Sequence, residues 1–256
     1  MYLEEGNIEK AVSYLKQAAE GDVSYADYKL GQIYSSETYG VSNAEQAQSH
    51  YAKAIKGFEK DFSEHEDGFI AYRIGYMYQK GIGTDIDIQK SIEWYSKAAD
   101  IGSPDAMYQL GYIYRDSSSP YYNPSLSQKY FSDSLRLYLN NHYEDPNDGY
   151  TALRIGRFYH YGLGVERDID KAIEYYTKAK ELGYSVSMDK VNELQEEQSL
   201  AMMSIATTAA HLGRMFQNDT VAKAQSRIHH SDKKILRQEK KLKVEAGQAI
   251  DDYSQE

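Results

Sequence analysis

The chain has 256 residues, no Cys, four Pro, 41% hydrophobic residues and a formal net charge of −10. This composition excludes a disulfide-stapled domain, a thiolate metal centre and a chain too polar to fold. Tyr occurs 26 times against six Phe and one Trp, a bias expected when one structural position recurs along a chain.

The start, Met1-Tyr2-Leu3-Glu4-Glu5-Gly6, carries no charged-then-apolar leader, so a cytoplasmic location is expected. It aligns instead with Met77-Tyr78-Gln79-Lys80-Gly81. The chain is therefore expected to begin inside the first helix of a repeat and to be a piece of a longer repeat protein. Residues 7–20 predict a helix that Gly21 ends. A step then recurs: an aliphatic residue, Gly, two residues, and Tyr. It reads Leu30-Gly31 to Tyr34, Ile74-Gly75 to Tyr78, Leu110-Gly111 to Tyr114 and Ile155-Gly156 to Tyr159. Residues 73–102, RIGYMYQKGIGTDIDIQKSIEWYSKAADIG, align with residues 154–183, RIGRFYHYGLGVERDIDKAIEYYTKAKELG, at fifteen identical positions. Unequal spacing of the glycines fits two-helix units joined by loops of variable length.

Each unit decomposes physically. A short helix A, such as residues 68–80, buries Ala71, Ile74 and Tyr78 at spacings of three and four. Its internal Gly75 costs about 1 kcal/mol relative to Ala, so close approach of a neighbouring helix is expected there. Gly81-Ile82-Gly83 supplies a turn with positive φ. Asp87 and Asp168 are placed to cap helix B, which buries Ile92, Tyr95, Ala98 and Ala99 before Gly102 ends it. Two units lack the Gly-x-Gly turn: residues 37–43 and residues 117–124 replace it with longer loops suited to specific contacts.

Beyond Gly183 the pattern fades. Residues 185–198 read as a last helix A. Residues 199–217 read as a separate helix capping the array, with Met203, Ile205, Leu212, Met215 and Phe216 on its apolar face. Residues 218–256 read as a polar linker and a basic tail. Residues 223–256 carry eight bases and six acids after an acidic body, and such asymmetry points to a second surface with its own partner. His211 and Arg214 interrupt the longest apolar-leaning run, so no membrane span is expected.

The repeat resembles the Sel1-like repeat, a relative of the tetratricopeptide repeat, over residues 1–198. Ile155, Gly156, Tyr159, Gly162, Gly164, Val165, Asp168, Lys171, Ala172, Tyr176, Lys178, Ala179 and Gly183 carry the resemblance. It implies an all-α fold, a right-handed αα-hairpin superhelical solenoid of about four and a half hairpins, whose helices A line a concave groove. The end of the chain resembles Sel1-repeat-containing mobilization relaxases of plasmids and integrative elements in Gram-positive bacteria. Leu212-Gly213-Arg214-Met215-Phe216 and residues 243–253 carry that likeness, with Gln248 and Tyr253 where the family has His. It implies the C-terminal repeat module of such a protein. The nicking domain's His cluster and Tyr nucleophile are not in this chain.

No constellation for catalysis is legible. The Gly-x-Gly turns follow helices rather than strands and lack the terminal Lys of a phosphate loop. The seven His do not pair at i, i+4 around a Glu; His229 and His230 read as a solvated pair, and His160 as a surface residue. Asp85 and Asp170 fall beside the capping acids and have no nucleophile to serve. No metal and no cofactor is expected. Two binding surfaces are. Lys29, Gln32, Arg73, Tyr76, Gln109, Tyr112, Arg154 and Arg157 fall on the helix-A face opposite the buried stripe and are expected to line a groove for a protein or peptide. Lys233, Lys234, Arg237, Lys240, Lys241 and Lys243 form a basic helix able to contact DNA phosphates or an acidic protein.

Overall fold

A computed structural model describes residues 8–184 and 188–215. Among these residues every long element is an α-helix. The chain divides between Val191 and Asn192 into two compact units.

The first unit opens with α1 (Ile8–Glu20), followed by four hairpins. These are α2 (Ser24–Ser35) with α3 (Ala44–Glu64), α4 (Gly68–Lys80) with α5 (Ile88–Asp100), α6 (Pro104–Arg115) with α7 (Pro124–Glu144), and α8 (Gly149–Tyr161) with α9 (Ile169–Glu181). Contact is densest within a hairpin and continues from each hairpin to the next, as a stacked array requires. The second helices alternate in length: α3 and α7 have 21 residues, α5 and α9 have 13. The array is therefore a two-hairpin block used twice, α2 to α5 and then α6 to α9. That doubling explains why residues 73–102 match residues 154–183 so closely.

Local chemistry sets the helix starts. Asn43, Asp67, Asp87, Ser103, Asn123, Asp148 and Asp168 each accept a hydrogen bond from a backbone N–H of the first turn, relieving donors that the helix cannot satisfy itself. At the helix ends one expectation needs correction. Gly102 and Gly183 sit at φ +92° and +83° after α5 and α9, but after α1 the left-handed residue is Asp22, at φ 59°. Val23 N–H closes the turn onto Ala18 O, as Ser103 does onto Ala98 O. The signal lies one residue past Gly21, at a residue type that tolerates this conformation.

The helix-A glycines are filled by rings. A Cβ on Gly31, Gly75, Gly111 or Gly156 would lie 2.5–2.7 Å from the ring of Tyr51, Tyr95, Phe131 or Tyr176. Each ring comes from the second helix of the same hairpin, so the neighbour is an aromatic side chain rather than a backbone. One turn later the ring's hydroxyl finds a partner. Ser35 Oγ lies 3.2 Å from Tyr51 OH, Tyr95 OH donates to Gln79 Oε1 at 3.0 Å, and His160 Nδ1 lies 3.1 Å from Tyr176 OH. His160 is therefore buried and not a surface residue. In the third hairpin Phe131 has no hydroxyl, and the corresponding Arg115 is exposed. The recurring Tyr34, Tyr78, Tyr95, Tyr159 and Tyr176 are core, as expected; Tyr114 is only half-buried, stacked on Tyr130.

This Tyr-rich interior predicts alkaline lability. Burial, with Glu59 accepting its hydrogen bond, pushes the Tyr78 phenol up to about 12, and burial also raises Tyr51, Tyr72 and Tyr175. Phenols raised above their ordinary 10.0 favour the fold fully below that pH. The advantage disappears as pH rises toward the folded values, because the unfolded chain ionises first. Denaturant midpoints are expected to hold steady up to about pH 9 and to fall above about pH 10, with phenolate absorbance rising alongside loss of helix.

The last helix, α10 (Met188–Met215), runs without a break. Two helices meeting near residue 198 were expected. No Gly, Pro or capping sequence interrupts residues 192–206, so the helix has no reason to stop. Leu200, Met202, Met203 and Ile205 are exposed. Residues 218–256, including the basic tail and His229-His230, lie outside the described residues, as do residues 1–7. Among the described residues no helix is long and apolar enough to cross a membrane.

Candidate binding face on the first helices

The first helix of each hairpin has two positions that flank its glycine and face away from the buried stripe. Two residues before the glycine stand Lys29, Arg73, Gln109 and Arg154; one residue after it stand Gln32, Tyr76, Tyr112 and Arg157. None of the eight is buried. The surroundings differ from hairpin to hairpin. Lys29 Nζ lies 5.3 Å over the Tyr25 ring. Tyr76 packs against the core shared by the second and third hairpins. Tyr112 sits edge-on to Phe131 at 5.2 Å, with its hydroxyl 3.3 Å from that of Tyr108; burial and this bond push its pKa up. Arg157 is exposed. Lys233, Lys234, Arg237, Lys240, Lys241 and Lys243 lie outside the described residues.

Arg73 and Arg154 are sixth in α4 and α8 and occupy equivalent places in the two blocks. Arg154 is paired. Its terminal N–H donates to Asp105 Oδ1 at 2.6 Å and its Nε to Tyr150 OH at 2.8 Å. The Tyr108 ring lies 4.8 Å from the guanidinium. Among the described residues Arg73 is met by rings: Tyr28 and Phe69 at 4.4 Å and Tyr25 at 5.4 Å. Its buried Nε has no hydrogen-bond partner among them. Sequence reasoning picked both arginines and missed the residues that distinguish them. Phe69 and Tyr150 sit four residues ahead of them, on the same helix face; that signal was readable. Asp105 and Tyr25 come from the preceding hairpin and were not.

A groove of about 520 Å³ adjoins this face between α4 and α6, lined by Phe69, Tyr72, Ile101, Ser103, Asp105 and Tyr150. Another, of about 620 Å³, lies between α1 and α3, where Lys16, Lys53, Lys56 and Lys60 alternate with Glu20, Asp22 and Asp61. Among the described residues no cluster of three or more His, Asp or Glu could hold a metal ion.

The Sel1 repeat family pattern matches residues 2–23, 24–57, 71–103, 104–132 and 150–184, together more than half of the chain. The chain belongs to the Sel1 repeat family. It is similar to a sel1-like repeat-containing protein of Acanthamoeba polyphaga mimivirus, 34% identical over 36% of this chain and 17% of the relative. It is also similar to the Activator of C kinase protein 1 of Saccharomyces cerevisiae, 30% identical over 44% of this chain and 18% of the relative. The aligned part thus spans less than a fifth of either relative. A solved Sel1 repeat protein from Oxalobacter formigenes aligns over 72% of this chain and 74% of its own, at 20% identity and a TM-score of 0.43.

Proposed function

We propose that this Sel1-repeat chain is a non-catalytic protein-interaction scaffold that receives a partner on the outward face of α2, α4, α6 and α8. The supporting observation is the row itself: eight polar or aromatic side chains flank the four glycines, and every one keeps solvent exposure. A stack of hairpins buries one stripe of each first helix and leaves the next face free to bind over a long, shallow surface. The relative named as an activator of a kinase is consistent with an adaptor role. The narrower reading, a C-terminal repeat module of a mobilization relaxase, rests on residues 212–216 and 243–253, whose side chains lie outside the described residues.

Deleting residues 218–256 tests the assignment of binding to the array. Partner proteins captured by the full chain are expected to be captured equally by the truncated chain, with or without nuclease. Loss of capture on truncation, together with salt-sensitive retention of duplex DNA by the full chain alone, would move the function to the basic tail.

A further inference from the structure

The molecule contains one arginine site twice, once filled and once open. In the second block the Arg154 guanidinium is completed from within: Asp105, second residue of α6, supplies the carboxylate, and Tyr150, second residue of α8, supplies an oxygen for Nε. In the first block the same two positions hold Tyr25, second residue of α2, and Phe69, second residue of α4. Neither offers a carboxylate. Phe69 lacks the hydroxyl that Nε would use, and the buried Arg73 Nε has no partner among the described residues. Among the described residues no carboxylate pairs with Arg73.

We infer that Arg73, framed by Tyr25, Tyr28 and Phe69, is a receptor for an acidic side chain of a peptide partner, in the place that Asp105 occupies beside Arg154. The inference rests on the scaffold reading above and names the chemistry of one position within it. Charge complementarity carries it. A guanidinium walled by three rings is weakly hydrated, so a carboxylate arriving from outside forms a charge-assisted bond in a partly desolvated place. The exposed rings tell what flanks that acid. Tyr25 is 42% exposed and Phe69 56%, and Phe69 is also a wall of the 520 Å³ groove with Ile101 and Tyr150. The matching peptide has Asp or Glu with a large apolar residue close by, the acid on Arg73 and the apolar side chain in the groove.

Selection of a phage-displayed library of random dodecapeptides on the full chain tests this. Selected peptides are expected to be enriched in an acid next to a large apolar residue. Synthetic copies should lose about tenfold or more in affinity toward Arg73→Gln, as removal of a charged hydrogen-bond partner predicts. Tyr25→Asp is the sharper variant. It rebuilds the Asp105 arrangement around Arg73, so the folded protein should keep its thermal stability and yet lose the acidic peptides by a similar factor. Peptides that bind with no acid preference, or that bind both variants as tightly as the parent, would overturn the Arg73 site and leave the scaffold reading standing. Failure of the chain to retain any peptide would count against both.

Discussion

Gly164→Ala is expected to destabilise the chain by about 2–5 kcal/mol, from left-handed strain and overpacking together. Gly164 sits at φ +66° in the turn between α8 and α9. A Cβ there would lie 2.4 Å from Ser132 N and 2.6 Å from Phe131 C, both backbone atoms of α7. Backbone in the middle of a helix cannot rotate aside, so the two hairpins must separate. Ser132 Oγ also donates to Gly164 O at 2.7 Å, and that bond would stretch. Gly102→Ala provides the comparison, since Gly102 has φ +92° and nothing within 4 Å of a built Cβ; only the conformational strain of about 1–2 kcal/mol applies. Chemical denaturation followed by circular dichroism separates the cases. A loss at Gly164 no greater than that at Gly102 would refute the docking of the turn on the preceding hairpin. Because each hairpin is stabilised by its neighbours, Gly164→Ala should also split the transition into two steps. Gly83 makes the same contact on Tyr51 and Ala52 in the first block.

Asp105→Ala is expected to cost about 2–4 kcal/mol, near the lower part of the range for breaking a buried ion pair. The Arg154 side chain is 12% exposed and that of Asp105 26%, so removing the acid strands a mostly buried cation. Tyr150 would keep its bond to Nε, which limits the damage. Replacing both partners at once, with Asp105→Leu and Arg154→Met, should recover much of the loss, since the desolvation of two charges is then avoided. Arg73→Met should change stability by no more than about 1 kcal/mol, as lost ring contacts are offset by removal of an unpaired buried donor. Equal losses at Arg73 and Arg154 would show that the two arginines are structurally equivalent and would remove the contrast between them.

Much of this arrangement was readable beforehand. The recurrence of Gly31, Gly75, Gly111 and Gly156 gave the hairpin count, and Asp87 and Asp168 marked the starts of α5 and α9, because caps and periodicity act within one turn of the chain. Gly83 and Gly164 announced positive φ for the same reason. The eight residues flanking the glycines could be placed on one face from helical geometry alone.

Other features depended on chain segments far apart. His160 was misread because its partner Tyr176 lies on the next helix, where a ring occupies the space that Gly156 leaves. Arg73 and Arg154 look alike in sequence, each inside the same Arg-Ile-Gly step; what separates them is whether the preceding hairpin presents Tyr25 or Asp105, which only the stack decides. Local sequence thus determined where helices start, turn and face, since those follow from short-range sterics and hydrogen bonds. The tertiary structure decided which side chains find partners, because a charge or a hydroxyl is satisfied by whatever the fold brings within about 3 Å of it, at any distance along the chain.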